Sequence, residues 1–230
     1  YNSFISSIGN NAQVDIFFHY FNIDVFKKLI NENNGDYSKY IIMPTTLNGT
    51  AEIIKLLPKN SVFILDQTNP ELYEYPSIHQ NFAADMFNGL TAGFEKILKY
   101  KKLVLIFPTF KQPPGMKEGF INFCRKHNLA QNVLSDFEDT ETLKDYLYII
   151  PNDRHLVQVI ENAKKNKLKI GRDIGIISYN DTPLKKVVEN GITTISTDFT
   201  EMGRTLAHMV LYNDRRHTEN KSSLIERSSL

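Results

Sequence analysis

The sequence holds a single cysteine, Cys124, in 230 residues, so no internal disulfide can form, which fits a reducing compartment. No apolar run approaches the roughly 20 residues needed to cross a bilayer. Charge of one sign is also lacking: 27 Lys and Arg stand among 26 Asp and Glu, for a net charge of +1. A domain that holds nucleic acid by itself carries a basic stripe, and none is visible. The eleven glycines are dispersed and fit neither G-x-G-x-x-G nor a phosphate-cradling loop. G-x-S-x-G is absent too. The six histidines (His19, His79, His127, His155, His208 and His217) show no pairing at metal-ligand spacing and read as surface or core-edge residues. Cys124 lies on an apolar helical stripe and reads as a small buried hydrophobe. An enzyme, a metal and a cofactor are therefore not expected.

What is present is ordinary globular composition, 41% hydrophobic and 23% charged, with apolar runs alternating with amphipathic segments. Val14–Phe18, Tyr40–Met43, Val62–Leu65, Leu103–Phe107, Tyr146–Ile150 and Ile174–Tyr179 read as strands. Between them lie helical stripes: Val25, Phe26, Leu29 and Ile30 behind a cap at Asn22; Met86, Leu90, Gly93, Phe94 and Ile97; Phe120, Phe123, Cys124 and His127. Leu156, Val159, Ile160 and Ala163 follow, then Met202, Leu206, Met209 and Val210. Continuous apolar strands separated by such helices predict an α/β fold with parallel sheets covered on both faces. Ligands of such sheets sit beyond the carboxyl ends of the strands. That rule selects Asp66-Gln67, Pro108-Thr109-Phe110, Asn152-Asp153-Arg154 and Asn180-Asp181.

The chain opens at Tyr1 with no initiator Met and no signal-peptide pattern, so a fragment is expected, with a DNA-binding head or a secretion signal upstream. The run Gly171 to Pro183 resembles a signature of LacI-family regulators, in which a strand ends in Gly-aromatic-Asp-Asp/Asn. The resemblance continues through Gly191-Ile192-Thr193-Thr194-Ile195, Glu201-Met202-Gly203 and the closing Leu224–Leu230. Upstream it takes in Gln80-Asn81 with Ala84, Gly119-Phe120 and Pro151-Asn152-Asp153. It spans roughly residues 40 to 230 in one order and is similar in flavour to Bacteroidetes regulators whose sensor follows a GntR-type winged helix. The first family strand and most of its first helix are expected before Tyr1.

The resemblance implies a type I periplasmic-binding-protein-like fold, two α/β lobes joined by three crossovers with ligand in the cleft. Crossovers are expected near His79, Thr197 to Asp198, and Asn220 to Ser222. The N-terminal lobe is then 1–79 plus 198–219 and the C-terminal lobe 80–197 plus 220–230. Implied ligand residues are Asp66, Asn152, Asn180, Asp181, Lys117 and Phe110. Local readings compete with these roles: a turn or hinge for Asp66, a helix cap at Asn152 or Asp153, a turn before Pro183 for Asn180 and Asp181. Of the neighbours Asn152 and Asp153, the first is the better ligand candidate and the second the better cap. Where the family carries a forked Arg, this chain has Met116, with Lys117 beside it as a single flexible donor. Few basic groups gather near these positions, so a neutral sugar is the expected effector. The implied function is the effector-binding domain of a cytoplasmic, homodimeric regulator that meets operator DNA through a separate head. The alternative is a sugar-binding protein of an uptake system.

Overall fold

A computed structural model describes residues 1–108, 112–138 and 142–230; Phe110 falls outside them. In chain order the elements are α1 (Asn2–Ile8), α2 (Ile23–Glu32), β1 (Tyr40–Ile42), α3 (Thr50–Ile54), β2 (Val62–Asp66), β3 (Ser77–His79) and α4 (Phe82–Ala92). There follow α5 (Phe94–Ile97), β4 (Lys102–Ile106), α6 (Pro114–Lys126), β5 (Gln131–Leu134), β6 (Tyr146–Ile150) and α7 (Asp153–Lys165). The chain ends with β7 (Gly175–Tyr179), α8 (Pro183–Val187), β8 (Thr193–Thr197), α9 (Phe199–Tyr212), β9 (His217–Glu219) and β10 (Ser222–Ile225). It divides into two compact units. Unit 1 is Tyr1–Gln80 with Asp198–Asn220, and unit 2 is Asn81–Thr197 with Lys221–Leu230.

Unit 1 is built on a parallel sheet in the order β1-β2-β3-β9. Side chains alternate across a strand, and β2 shows the result. Val62 and Ile64 join Phe26, Ile30, Ala51 and Ile54 from α2 and α3 in one core. Phe63 joins Phe4, Ile8, Leu206 and Met209 from α1 and α9 in another. Each of the Val, Ile, Leu, Met and Phe side chains contributes about 1.5–3 kcal/mol when fully buried. The Asn22 side chain starts α2 by accepting from the amides of Asp24 and Val25.

The predicted strand at Val14–Phe18 is not formed. Residues 12–19 carry no regular structure, and Ile16, Phe17 and Phe18 are exposed. An apolar run becomes a strand only where a neighbouring edge takes up its backbone groups, and these residues make no ladder among the described residues. The predicted stripe from Met86 to Ile97 is split at Gly93 into α4 and α5.

Unit 2 carries a sheet in the order β10-β8-β7-β6-β4-β5, parallel except for β10, which runs antiparallel to β8. Leu103, Leu105, Leu147, Ile149, Ile177 and Ile195 face one core with Met86, Leu90, Phe120 and Phe123. Val104, Ile106, Tyr148, Ile150 and Ile176 face the other with Leu156, Val159 and Ala163. Burial on both faces is why these strands read as unbroken apolar runs. Helix α6 lies close against α4 because position 119 is glycine: a Cβ there would come within 2.2 Å of the Ala83 carbonyl oxygen. Past β10 the chain turns under the sheet. The Ser229 backbone carbonyl accepts from Ile176, its hydroxyl donates to the Ile176 carbonyl and accepts from the Thr193 amide, and Leu230 enters the core. Gly171 makes room for this tail, with φ +82° and its Cβ position only 2.0 Å from the Ser228 carbonyl oxygen.

Candidate functional site

In unit 1 the polar groups gather where β1 and β2 end. Asp66, the last residue of β2, has a left-handed backbone (φ 73°). Its carbonyl oxygen accepts from the Gln80 amide at 2.9 Å, and its carboxylate accepts from the Gln80 side chain. Burial raises the Asp66 pKa, and hydrogen bonds from Gln80 and Gln67 oppose that shift. Two threonines missed at the sequence level stand at the same strand ends. Thr45 follows β1 with φ 56°, and Thr68 follows Asp66 by two residues. Both hydroxyl oxygens are buried without a hydrogen-bond partner among the described residues. The rule that selected Asp66 also reaches Thr45, three residues past the end of β1.

In unit 2 the equivalent edge is formed by the ends of β6 and β7. Asn152 is the N-cap of α7: its Oδ1 accepts from the amides of Arg154 (2.9 Å) and His155 (3.3 Å). The cap therefore belongs to Asn152 and not, as expected, to Asp153. Asp153 instead pairs with the Lys185 ammonium at 2.8 Å. Capping takes the Asn152 oxygen and leaves its amide nitrogen as the group able to meet a ligand.

Asn180 closes β7 in the left-handed conformation (φ 58°), a state asparagine tolerates better than most residues. Its backbone amide donates to the Ile195 carbonyl at 2.8 Å. Its side-chain Oδ1 is buried with no partner among the described residues. Leaving a buried acceptor unmade costs about 1–3 kcal/mol, so such atoms call for an explanation.

Asp181 is differently placed. Both its oxygens are gripped by Arg227, at 2.7 and 2.9 Å, and Thr194 donates to it at 3.2 Å. The guanidinium of Arg227 holds the Asp181 pKa below the ordinary carboxylate value. This pair ties the strand end to the tail after β10, and its carboxylate has little capacity left for a ligand.

Lys117 is exposed on the first turns of α6, whereas Met116 beside it is buried in the apolar core with Met86 and Phe120. Position 116, where the resemblance implies a forked Arg, is thus held by a side chain packed in the core. Cys124 is buried, and burial pushes its thiol up to about 12, so it stays protonated. Among the described residues no group of three or more His, Cys, Asp or Glu is placed to hold a metal, and no helix is long and apolar enough to cross a membrane.

At its strand ends unit 1 carries two threonine hydroxyls and the Asp66 carboxyl group, and unit 2, at its own, two asparagine amides. Comparison with known proteins gives this arrangement a context. The family model described as Periplasmic binding protein-like domain matches residues 97–230, more than half of the chain. No curated protein matches the sequence. Among solved structures the chain is similar to the trehalose repressor from Escherichia coli, at 12% identity over 97% of this chain and 92% of that one, with a TM-score of 0.81. It is similar to a dimeric Lac repressor with an 11-residue C-terminal deletion, at 14% identity, 99% and 91% coverage and a TM-score of 0.80. A regulatory protein of the LacI family from Chloroflexus aggregans gives 15% identity, 99% and 91% coverage and a TM-score of 0.74. At these identities the likeness is one of fold, the mixed α/β type I periplasmic-binding-protein-like fold with parallel sheets flanked by helices. On the family match over residues 97–230, the chain belongs to the periplasmic-binding-protein-like domain family.

Proposed function

We propose that this chain is the effector-binding domain of a bacterial transcription regulator and that its effector is a neutral sugar or sugar-like metabolite. It is read as a binding module without catalytic activity. The observation that carries the reading is the set of buried, unpartnered polar atoms at strand ends: the Thr45 and Thr68 hydroxyls and the Asn180 Oδ1. A polyhydroxylated ligand offers matching donors and acceptors to such groups, and their neutrality suits an uncharged one. The raised pKa of Asp66 adds to this, because a buried carboxylate gains from hydroxyl donors that restore what burial removes. Two fold relatives, a trehalose repressor and a Lac repressor, agree in kind.

In this reading residues 1–79 with 198–219 form the N-terminal lobe, and residues 80–197 with 220–230 form the C-terminal lobe. Effector binding favours a closed cleft by its differential affinity for that state. Closure in a cytoplasmic homodimer then controls operator binding by a separate N-terminal head, of GntR winged-helix type. A sugar-binding protein of an uptake system shares the fold and is the competing assignment. Residues encoded upstream of Tyr1 separate the two: a winged helix supports the regulator and a secretion signal the transporter component.

The test is a thermal-shift screen against D-glucose, D-galactose, L-arabinose and D-xylose, their phosphates, purine bases and amino acids. A ligand at a hundredfold its Kd stabilises by about 2.7 kcal/mol, which raises the Tm by about 5–10 °C for a chain of this size. A shift with one neutral sugar, lost in Asn180→Ala and Thr68→Val while both variants stay folded, supports the reading. A shift confined to phosphates or purines overturns the sugar assignment. Silence toward the whole panel overturns the effector role.

A further inference from the structure

Lys185 is a lysine buried at the first turns of α8, with its side chain only 5% exposed. Its ammonium has three donors, and all three are taken. It donates to the carbonyl oxygens of Tyr179 at 2.8 Å and Asn180 at 2.9 Å, and to the Asp153 carboxylate at 2.8 Å. Lysine is among the residues least often found fully buried unless paired, so a fully satisfied one at a strand end marks a fixed point. The main chain of the same residue is fixed as well. Its amide donates to the capping Thr182 hydroxyl oxygen, and its carbonyl oxygen accepts from the Ile192 amide.

The three acceptors belong to two pieces of the strand edge. Two are carbonyls on either side of the left-handed turn at Asn180, and the third is the residue directly after the Asn152 cap. We infer that Lys185 is a positioning residue. It holds Asn180 in its left-handed conformation, with the unpartnered Oδ1 presented, and locks it in register with Asn152 at the start of α7. It acts through these neighbours and itself needs no contact with the ligand. The ligand-facing half of this inference rests on the effector reading above.

Lys185 differs in this from its neighbour Lys186, whose side chain is 59% exposed and reaches Asp181 only at 4.0 Å. Without the ammonium, two carbonyls at the end of β7 lose their donors and the turn at Asn180 loses the charge that holds it. The Asp153 carboxylate is 69% exposed and can return to water, so removal of the lysine leaves no stranded buried charge.

The experiment uses the chain with Lys185→Met, which keeps the length and removes the charge, and Lys186→Met for comparison. Asp153→Asn is a milder variant that cuts only the link to α7. The first measurement needs no ligand: backbone carbon shifts and the side-chain amide signals of Asn152 and Asn180, by NMR on asparagine-labelled protein. The second is the Kd for whichever of D-glucose, D-galactose, L-arabinose or D-xylose gives the largest thermal shift. We expect Lys185→Met to move the Asn180 carbon shifts out of the left-handed range and to weaken binding at least tenfold. Asp153→Asn should move the Asn152 amide signals and weaken binding about threefold, and Lys186→Met should change neither reading. A folded Lys185→Met protein with Asn180 signals in place overturns the inference. If Lys185→Met does not fold, unmoved Asn152 and Asn180 signals in Asp153→Asn overturn it. Displaced Asn180 signals support the positioning role even when the unsubstituted chain binds no sugar, a result that would sink the effector reading alone.

Discussion

At the carboxyl ends of its strands unit 1 places Thr45, Asp66 and Thr68, whereas unit 2 places Asn180 and Asp181 among Lys185, Lys186 and Arg227. In unit 1 the bracing is light: Gln80 and Gln67 on Asp66, with both threonine hydroxyls unpartnered among the described residues. In unit 2 the bracing is ionic and nearly complete. Lys185 fills three acceptors and Arg227 grips Asp181 with a fork, while the Asn180 side-chain oxygen has no partner among the described residues. The difference teaches that polar residues at matching strand ends do two separate jobs. In unit 2 the charged groups fix the backbone and a neutral amide is presented. In unit 1 the neutral hydroxyls are presented and the one buried charge is the weakly braced group.

That contrast breaks most visibly at Arg227. The pair is part-buried, and Thr194 and Lys186 stay beside Asp181, so the loss expected is that of charge-assisted hydrogen bonds, about 1.5–3 kcal/mol. Arg227→Ala should lose about that much in urea unfolding. Because the Asp181 pKa is lowered by Arg227, the stabilisation is present above the ordinary carboxylate range. It fades as pH falls through the lowered pKa, so the gap to the unsubstituted chain should close in acid. A gap that stays constant with pH would mean that the pair contributes packing and not charge.

The next effect is at Asn152, where loss of a side-chain cap costs about 1 kcal/mol. Asn152→Ala should show that loss by urea unfolding, while Asp153→Ala should lose less because Asp153 is not the cap. Asp66→Asn tests the weakly braced charge in unit 1. A carboxyl whose folded pKa is raised favours the folded state at low pH and loses that contribution as pH rises through the folded value. The asparagine variant should therefore be the more stable form at pH 7, and melts from pH 4 to 7 should show its advantage growing with pH. The smallest effect is expected at Thr45→Val and Thr68→Val, a gain of about 1 kcal/mol or less in the ligand-free chain, since each removes a buried hydroxyl that has no partner to lose among the described residues. On the function proposed above, those two substitutions should show in effector affinity far more than in the ligand-free melt.

Much of this architecture is legible in the sequence, because strands β2, β4, β6 and β7 are buried on both faces and so carry unbroken apolar runs. The short polar strands were not legible. In β5 Gln131 and Asn132 are exposed, and in β9 His217 and Glu219 are exposed at the sheet edge, so neither carries an apolar signal. Val14–Phe18 failed in the opposite sense, as a strong apolar run without a ladder. Among the candidate residues, the strand-end rule selects Asp66, Asn152 and Asn180, and each does stand at a strand end, but the sequence does not assign their bonds. Asn152 and Asp153 are both good caps locally, and a lysine 32 residues further on decides between them. Asp181 looks like a sugar-gripping carboxylate until Arg227, distant in sequence, occupies both its oxygens. Threonine hydroxyls at strand ends are common enough that Thr45 and Thr68 gave no signal of their own.

The tail that begins at β10 has a consequence for how the molecule is made. During synthesis β8 emerges with its outer edge open, and all of α9 and β9, which belong to unit 1, must follow before Ser222–Ile225 arrives to cover it. An open strand edge invites pairing with another chain, so the nascent protein passes through an interval in which unit 2 is vulnerable to aggregation. Ser229 and Leu230 end that interval by bolting the tail to Ile176, Thr193 and the core. A stop codon after β9 would thus do more harm than the loss of one short strand suggests, leaving β8 permanently in its unfinished state.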